Sequence, residues 1–264
     1  MFVENGGSAV QPLLSLTPAV QTILTKLQQA GYEAYLVGGI VRDAVRGVQT
    51  ATDWDITTDA LPEVIERIFA GYRVIETGIK HGTVTVMMEN MPIEITTYRI
   101  DGTYSDGRHP DQVTFTRSLQ EDLARRDFTM NAMAYHPESG LVDPFGGQCD
   151  LAAKCIRCVG EPQRRFREDA LRILRALRFA AVFSMSIAPE TAEAIHREKE
   201  QLCGIAVERI RVELEKLLCG VDADRILRDY ADVFAVIIPA LAPMFGFLQH
   251  HPCHCYDVWE HTLA

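Results

Sequence analysis

"VGGIVRDAVRG", residues 37–47, and "DWDITT", residues 53–58, set a glycine pair and two alternating aspartates close together in the chain. The apolar "AYLV" that runs into Gly38-Gly39 reads as a strand, "IVRDAVRG" as a short helix closed by Gly47, and "DWDITT" as a second short strand. Side chains on a strand alternate faces, so Asp53 and Asp55 point the same way, about 7 Å apart by the usual rise per residue. With no basic residue between them they repel. A divalent cation with oxygen ligands suits that spacing, and magnesium in particular binds through one or two carboxylates plus substrate phosphates. A bare D-x-D is equally how a solvated strand edge reads, because exposed carboxylates are common. The glycine pair tips the balance: between strand and helix, backbone amides approach a phosphate closely and the helix start adds positive potential. Arg42 lies one turn in. Neither the G-K-[ST] nor the G-x-G-x-x-G spacing is present, which excludes a Walker loop and a dinucleotide fingerprint.

Working outward, "AVQTILTKLQQAG" (19–31) has helical apolar spacing, and "ALPEVIERIFAG" (60–71) is a helix with proline in its first turn. "GTVTVMM" (82–88) and "IEITTYR" (93–99) are rich in β-branched residues and flank the turn-like "ENMP", a hairpin signal. "DGTYSDGRHPDQ" (101–112) is a long polar loop, of the kind that is functional or mobile in compact domains. "LARRDFTMNAMAYH" (123–136) and the chain from Phe166 onward read mainly as helix. The fold class is therefore α+β: a small mixed sheet with helices to about residue 150, then an all-helical part, with "PFGGQCD" near the joint.

The chain has 264 residues, 47% hydrophobic and 23% charged, an ordinary globular balance for two or more packed units. No apolar run is long enough to span a bilayer, so no membrane association is expected. The first residues lack the pattern of a secretory signal, which makes cytoplasm the default. Seven cysteines without such a signal favour reduced thiols. Cys155 and Cys158 form a C-x-x-C with Cys149 nearby, but no fourth zinc ligand follows until Cys203.

A net charge of −10 argues against indiscriminate coating of nucleic acid. The charge is uneven, however. "QRRFREDALRILRALRF" carries six arginines from Arg164 to Arg178 against only Glu168 and Asp169, which points to a polyanionic partner. On a single helix Asp169, Arg172, Arg175 and Arg178 form a slowly winding polar band, opposite Ala170, Ile173, Leu174, Leu177 and Ala181. Asp169 and Arg172 can pair with each other, or present an acceptor and a fork of donors to a base edge while the later arginines take phosphates.

Taken in order, "GGIVRDAVRG", "DWDI", "RRDFTMNAMAY", "EDALRILRALRF" and "ERIRVELEKLL" resemble the signature motifs of the bacterial-type (class II) tRNA nucleotidyltransferase and poly(A) polymerase family, over about residues 20–220. The resemblance implies a polymerase-β-like nucleotidyltransferase head over 1–150, a helical neck over 151–220 and the start of a helical body over 221–264. It implies that Asp53 and Asp55 hold catalytic Mg2+ ions, that Gly39 and Arg42 contact the triphosphate, and that Arg126 also contacts the nucleotide. Asp169 and Arg172 become the protein template for incoming CTP or ATP, with Arg175 and Arg178 on phosphates and Glu94 a further carboxylate. The implied reaction adds C, C and A to the tRNA 3′ end with release of pyrophosphate.

Members that add only CC lack part of the flexible loop, whereas "DGTYSDGRHPDQVTF" looks intact; this favours full CCA addition or an A-adding or poly(A)-polymerase specialist. A truncated RNA-binding form with impaired activity is the reading from a different class. "HHPCHCYDVWEHTLA" looks like the entry to an HD-type body and then stops, so a shortened chain is expected, and His250, His251, His254 and His261 lack the downstream His-Asp pair of a hydrolase site.

Overall fold

The computed structural model describes residues 13–48, 53–76, 78–104, 107, 110–250 and 255–264. They divide into two compact units. The first takes the described residues up to Arg99, with Phe115–Leu119 and Met133–Pro144; the second takes those of 100–114, with Gln120–Ala132 and the described residues from Phe145 onward.

In the first unit α1 (Pro18–Gln29) begins at a capped turn, where Thr17 Oγ1 accepts from the Val20 amide at 3.4 Å and proline occupies the first position. Its Val20, Ile23, Leu24 and Leu27 are buried. β1 (Ala34–Val37) runs through Gly38, whose φ of +75 makes the strand-to-helix turn, into α2 (Gly39–Val45). Then follow β2 (Trp54–Thr58), α3 (Pro62–Ile68), β3 (Arg73–Ile75), β4 (Thr83–Met88) and β5 (Met91–Thr97). The expected hairpin forms between β4 and β5. Glu89 and Asn90 turn it at φ +52 and +64, and Met88 faces Met91, the mirror-image two-residue turn that matches strand twist.

β6 (Arg99–Asp101) and β7 (Val113–Phe115) make a separate ribbon flanking the polar loop, and α4 (Leu119–Ala124) follows. The helix expected over 123–136 does not form. α4 ends at Ala124, Thr129–Asn131 is a single 3-10 turn, and Ala134–His136 is a strand, β8, antiparallel to β1 with Val37 opposite Ala134. Short apolar runs fit either period, and the unpaired backbone edge of β1 decides for strand. With β9 (Gly140–Val142) the sheet has seven strands in the order β3-β4-β5-β2-β1-β8-β9. Within it β2 and β5 are parallel.

The second unit holds α5 (Gly147–Ala152), β10 (Cys155–Ile156), α6 (Pro162–Glu168), α7 (Leu171–Phe183), β11 (Ser186–Ile187), α8 (Pro189–Glu198), α9 (Val207–Leu218), α10 (Ala223–Asp229), α11 (Ala231–Ile237) and α12 (Val258–Leu263). Phe128, Phe166, Ile173, Leu174, Leu177 and Phe234 centre its core. The single arginine-rich helix of the sequence reading is in fact two. Asp169 is extended (φ −149, ψ +105) between α6 and α7, and its Oδ1 accepts from the Leu171 amide at 3.0 Å. A short acidic side chain that satisfies a nearby amide competes with the helical ladder and starts a new helix. Among the described residues no helix is long and apolar enough to cross a membrane.

Candidate active site

The parallel pairing of β2 and β5 sets Asp55 directly opposite Glu94. Cross-strand neighbours share a face about 4.8 Å apart, so these carboxylates stand side by side. Asp53, exposed, immediately precedes β2, and Asp55 is half-buried. Partial shielding of the Glu94 carboxyl, then the negative charges of Asp55 and Asp53, push its pKa up. Asp53 and Asp55 are hard oxygen donors of the type that binds a divalent cation such as Mg2+, with Glu94 beside Asp55. Among the described residues no group of three or more His, Cys, Asp or Glu is placed to hold a metal ion. A magnesium site completed by substrate phosphates needs only one or two protein carboxylates, so the donor set agrees with that kind of site and not with an all-protein one.

Gly39 opens α2, and a Cβ there would lie 3.5 Å from Arg42 Nη2, an ordinary contact. Arg42 grips Asp43 with both forks, Nε to Oδ1 at 3.0 Å and Nη2 to Oδ2 at 2.8 Å. Asp43 also accepts from Arg46 at 3.1 Å. The expected triphosphate contact thus carries a carboxylate on its guanidinium, and a phosphate has to share or displace it.

In the second unit the polar band is inward-tied, not simply outward. Asp169 Oδ2 accepts from Arg209 Nη2 of α9 at 2.8 Å. Arg172 does not pair with Asp169: its Nη1 donates to Glu168 Oε2 at 2.7 Å and to the Arg165 carbonyl at 3.1 Å. Burial works against the Arg172 charge, but Glu168 and Asp127 more than offset it and its pKa is raised. Arg175 donates to Asp127 Oδ2 through Nε at 2.9 Å and Nη2 at 2.6 Å. Arg178 meets Glu213 of α9 at 2.7 Å and lies over the Phe179 ring, 4.1 Å from its centroid. Arg126 follows α4 with Nη2 3.7 Å from Asp122, a fully buried carboxylate that also takes Arg125 Nε at 2.9 Å.

Asp127, the last residue of "RRD", is a buried acid held by Arg175. Burial alone would push its pKa up; Arg175, the Asn131 amide and Arg172 outweigh that and hold it at about 2. Asp127, Glu168, Arg209 and Glu213 were not singled out from the sequence. The available signal was spacing: Arg209 and Glu213 stand four apart in "ERIRVELEKLL", one turn of a helix that presents both to one side.

At the base of the polar loop, Tyr104 donates to Asp101 at 2.8 Å, and burial, then the Asp101 charge, push the phenol up to about 12. Ser105, Asp106, Arg108 and His109 of that loop lie outside the described residues, as do His251 and His254. In the C-x-x-C, burial pushes Cys158 up to about 12 and raises Cys155.

Residues 34–157 match the family model of the poly A polymerase head domain. Residues 184–245 match that of a probable RNA and SrmB-binding site of polymerase A. The CCA-adding enzyme of Leuconostoc mesenteroides is 49% identical over 207 residues, which is 78% of this chain and 51% of the relative. A solved structure of the Bacillus stearothermophilus CCA-adding enzyme in complex with CTP superposes with a TM-score of 0.72 at 46% identity, covering 80% of this chain and 51% of that one. A tRNA nucleotidyltransferase complexed with a primer tRNA and an incoming ATP analog superposes at 0.64 with 28% identity, covering 86% and 63%. The chain spans about half the length of the curated relatives it matches.

Proposed function

We propose that this chain, which belongs to the bacterial-type tRNA nucleotidyltransferase and poly(A) polymerase family, adds C, C and A to the 3′ end of tRNA from CTP and ATP in the cytoplasm, releasing pyrophosphate. The observation that carries the reading is the set of carboxylates on β2 and β5, with Asp55 opposite Glu94 and Asp53 beside them. We assign 1–150 to the catalytic head, 151–220 to the neck and 221–264 to the start of the body.

Asp53 and Asp55, supported by Glu94, would hold Mg2+, which when bound supplies charge to lower the pKa of the tRNA 3′-hydroxyl and to neutralise the departing pyrophosphate. The remaining work is orientation. Gly39 leaves backbone amides open to the triphosphate, and Arg42 adds a fixed positive fork there. In the second unit, Asp169 is the acceptor and Arg172 the donor for a base edge. C and A both offer an exocyclic amino donor next to a ring-nitrogen acceptor, whereas U and G present the reverse order. One acceptor–donor pair therefore accepts both correct bases and rejects both wrong ones. Arg126, Arg175 and Arg178 supply positive charge for the nucleotide's phosphates.

The test is incubation with tRNA lacking its terminal CCA, magnesium, and CTP and ATP separately and together. C addition followed by A supports the reading. A added only to tRNA already ending in CC marks an A-adding or poly(A)-polymerase specialist, and RNA binding with no addition marks a binding form. Asp53→Ala and Asp55→Ala should each abolish addition with an unchanged unfolding transition; wild-type-like incorporation by either variant removes the metal assignment.

A further inference from the structure

α9 carries two charged side chains one turn apart, and each pairs with the polar band that starts at the α6–α7 break: Arg209 with Asp169 and Glu213 with Arg178. The Asp169–Arg209 pair is well shielded, with side chains 15% and 22% exposed. Asp169 sits at a helix break, so no helical backbone fixes its side chain. Two contacts do so instead: the Leu171 amide on Oδ1 at 3.0 Å and Arg209 Nη2 on Oδ2 at 2.8 Å. Together they fix the orientation of the carboxylate plane and leave each oxygen with a remaining lone pair.

We propose that Arg209 is a positioning residue for nucleotide selection: it fixes the Asp169 carboxylate so that its free lone pairs meet the exocyclic amino group shared by cytosine and adenine. The inference rests on the base-reading role of Asp169 given above. Arg209 itself touches no base. Its charge matters as well as its geometry. A carboxylate oxygen accepts from an amino group and offers no donor to the carbonyl of U or G, and the Arg209 cation on Oδ2 aims that acceptor. Without Arg209 the side chain is held at Oδ1 alone and swings about its χ torsions, and the gap between right and wrong bases shrinks.

The test measures CTP and UTP affinity by titration calorimetry, with magnesium, for the full 264-residue chain and for Asp169→Ala, Arg209→Gln and Arg209→Lys. A well-placed base contact separates right from wrong by about tenfold or more, so Arg209→Gln should lower the CTP-over-UTP ratio by about that factor by weakening CTP and leaving UTP unchanged. Arg209→Lys keeps the charge and should recover part of the ratio, which a merely structural loss would not do. If Asp169→Ala loses discrimination while Arg209→Gln and Arg209→Lys both keep it within twofold, the positioning role is overturned and the role of Asp169 stands. If the wild-type chain does not discriminate, or Asp169→Ala discriminates as well as wild type, the base-reading role falls and this inference with it. An equal weakening of CTP and UTP in both Arg209 variants, with a lowered unfolding midpoint, also overturns it by showing Arg209 to be structural only.

Discussion

Replacing Asp127 by asparagine keeps the side-chain shape and removes its charge, which isolates what the buried carboxylate does for the fold. Its folded pKa of about 2 lies below the ordinary 3.8, because Arg175, Asn131 and Arg172 together outweigh the burial that would raise it. A depressed carboxylate stabilises the fold above its unfolded pKa, and that stability is lost as pH falls through the folded value. At about 1.4 kcal/mol per pKa unit the full effect is about 2 kcal/mol, with about 1.5 kcal/mol of it gone by pH 2.5. At neutral pH the variant also leaves Arg175 with only a neutral acceptor where it had a doubly bonded carboxylate, and the total cost is about 3 kcal/mol. Urea unfolding followed by circular dichroism, from pH 6 to pH 2.5, should show the gap between wild type and Asp127→Asn shrinking by about 1.5 kcal/mol, nearly all of it below about pH 5. Other carboxylates titrate in both proteins and cancel in the difference. A gap that stays constant across this range would mean that Asp127 is not held in its ionised form by Arg175, and the ionic account of the second unit would fail with it.

Other sites give sharper single outcomes. Glu94→Gln removes a carboxylate whose charge is disfavoured by burial and by Asp55 and Asp53, so it should leave the urea midpoint unchanged or higher while lowering nucleotide addition by about tenfold or more, as measured by radiolabelled incorporation. Gly82 has φ +82 and a Cβ there would fall 2.7 Å from Phe115 Cε1, so Gly82→Ala should destabilise the first unit by about 2 kcal/mol or more in thermal unfolding. Phe166, fully buried at the centre of the helical core, should cost about 3–5 kcal/mol when cut to alanine, read from the denaturant midpoint at constant slope.

The sheet was legible where chemistry is local. Gly38-Gly39 after an apolar run, the β-branched "TVTV" and "IEITT", and the proline-led helices each announce their own conformation, and each forms as read. β8 was not legible, because nothing in "AMAYH" separates a strand from one turn of helix until β1 offers an edge to pair with. The break at Asp169 was hidden for a related reason. Periodicity on both sides is continuous enough to pass for one helix, and the contact that ends it is one aspartate oxygen on one amide. The Asp53–Asp55 pair was readable from alternation alone, but its tie to Glu94 depends on a parallel register between strands more than thirty residues apart.

The arginine band shows what a charge pattern leaves open. Six arginines against two acids in one segment read as a surface waiting for phosphate, since the segment supplies almost no counter-charge of its own. Glu168 of the segment itself meets Arg164, Arg165 and Arg172, and further counter-charge comes from elsewhere: Asp127 from the "RRD" turn takes Arg175, and Glu213 from α9 takes Arg178. Asp127 and Glu213 are themselves 9% exposed or less and cannot simply be abandoned, because an ionised carboxylate left buried costs several kcal/mol. A phosphate that meets Arg175 or Arg178 therefore adds to an existing ion pair and does not replace it, so each arginine delivers less than a full unit of free charge. What the pairing supplies in exchange is placement. Arg175, held through Nε and Nη2 by the buried Asp127 carboxylate, has little rotamer entropy left to lose on binding, which favours selective binding of a correctly seated phosphate over tight binding of any polyanion. That trade suits a chain whose net charge is −10, in which any positive surface must be built locally and held in place.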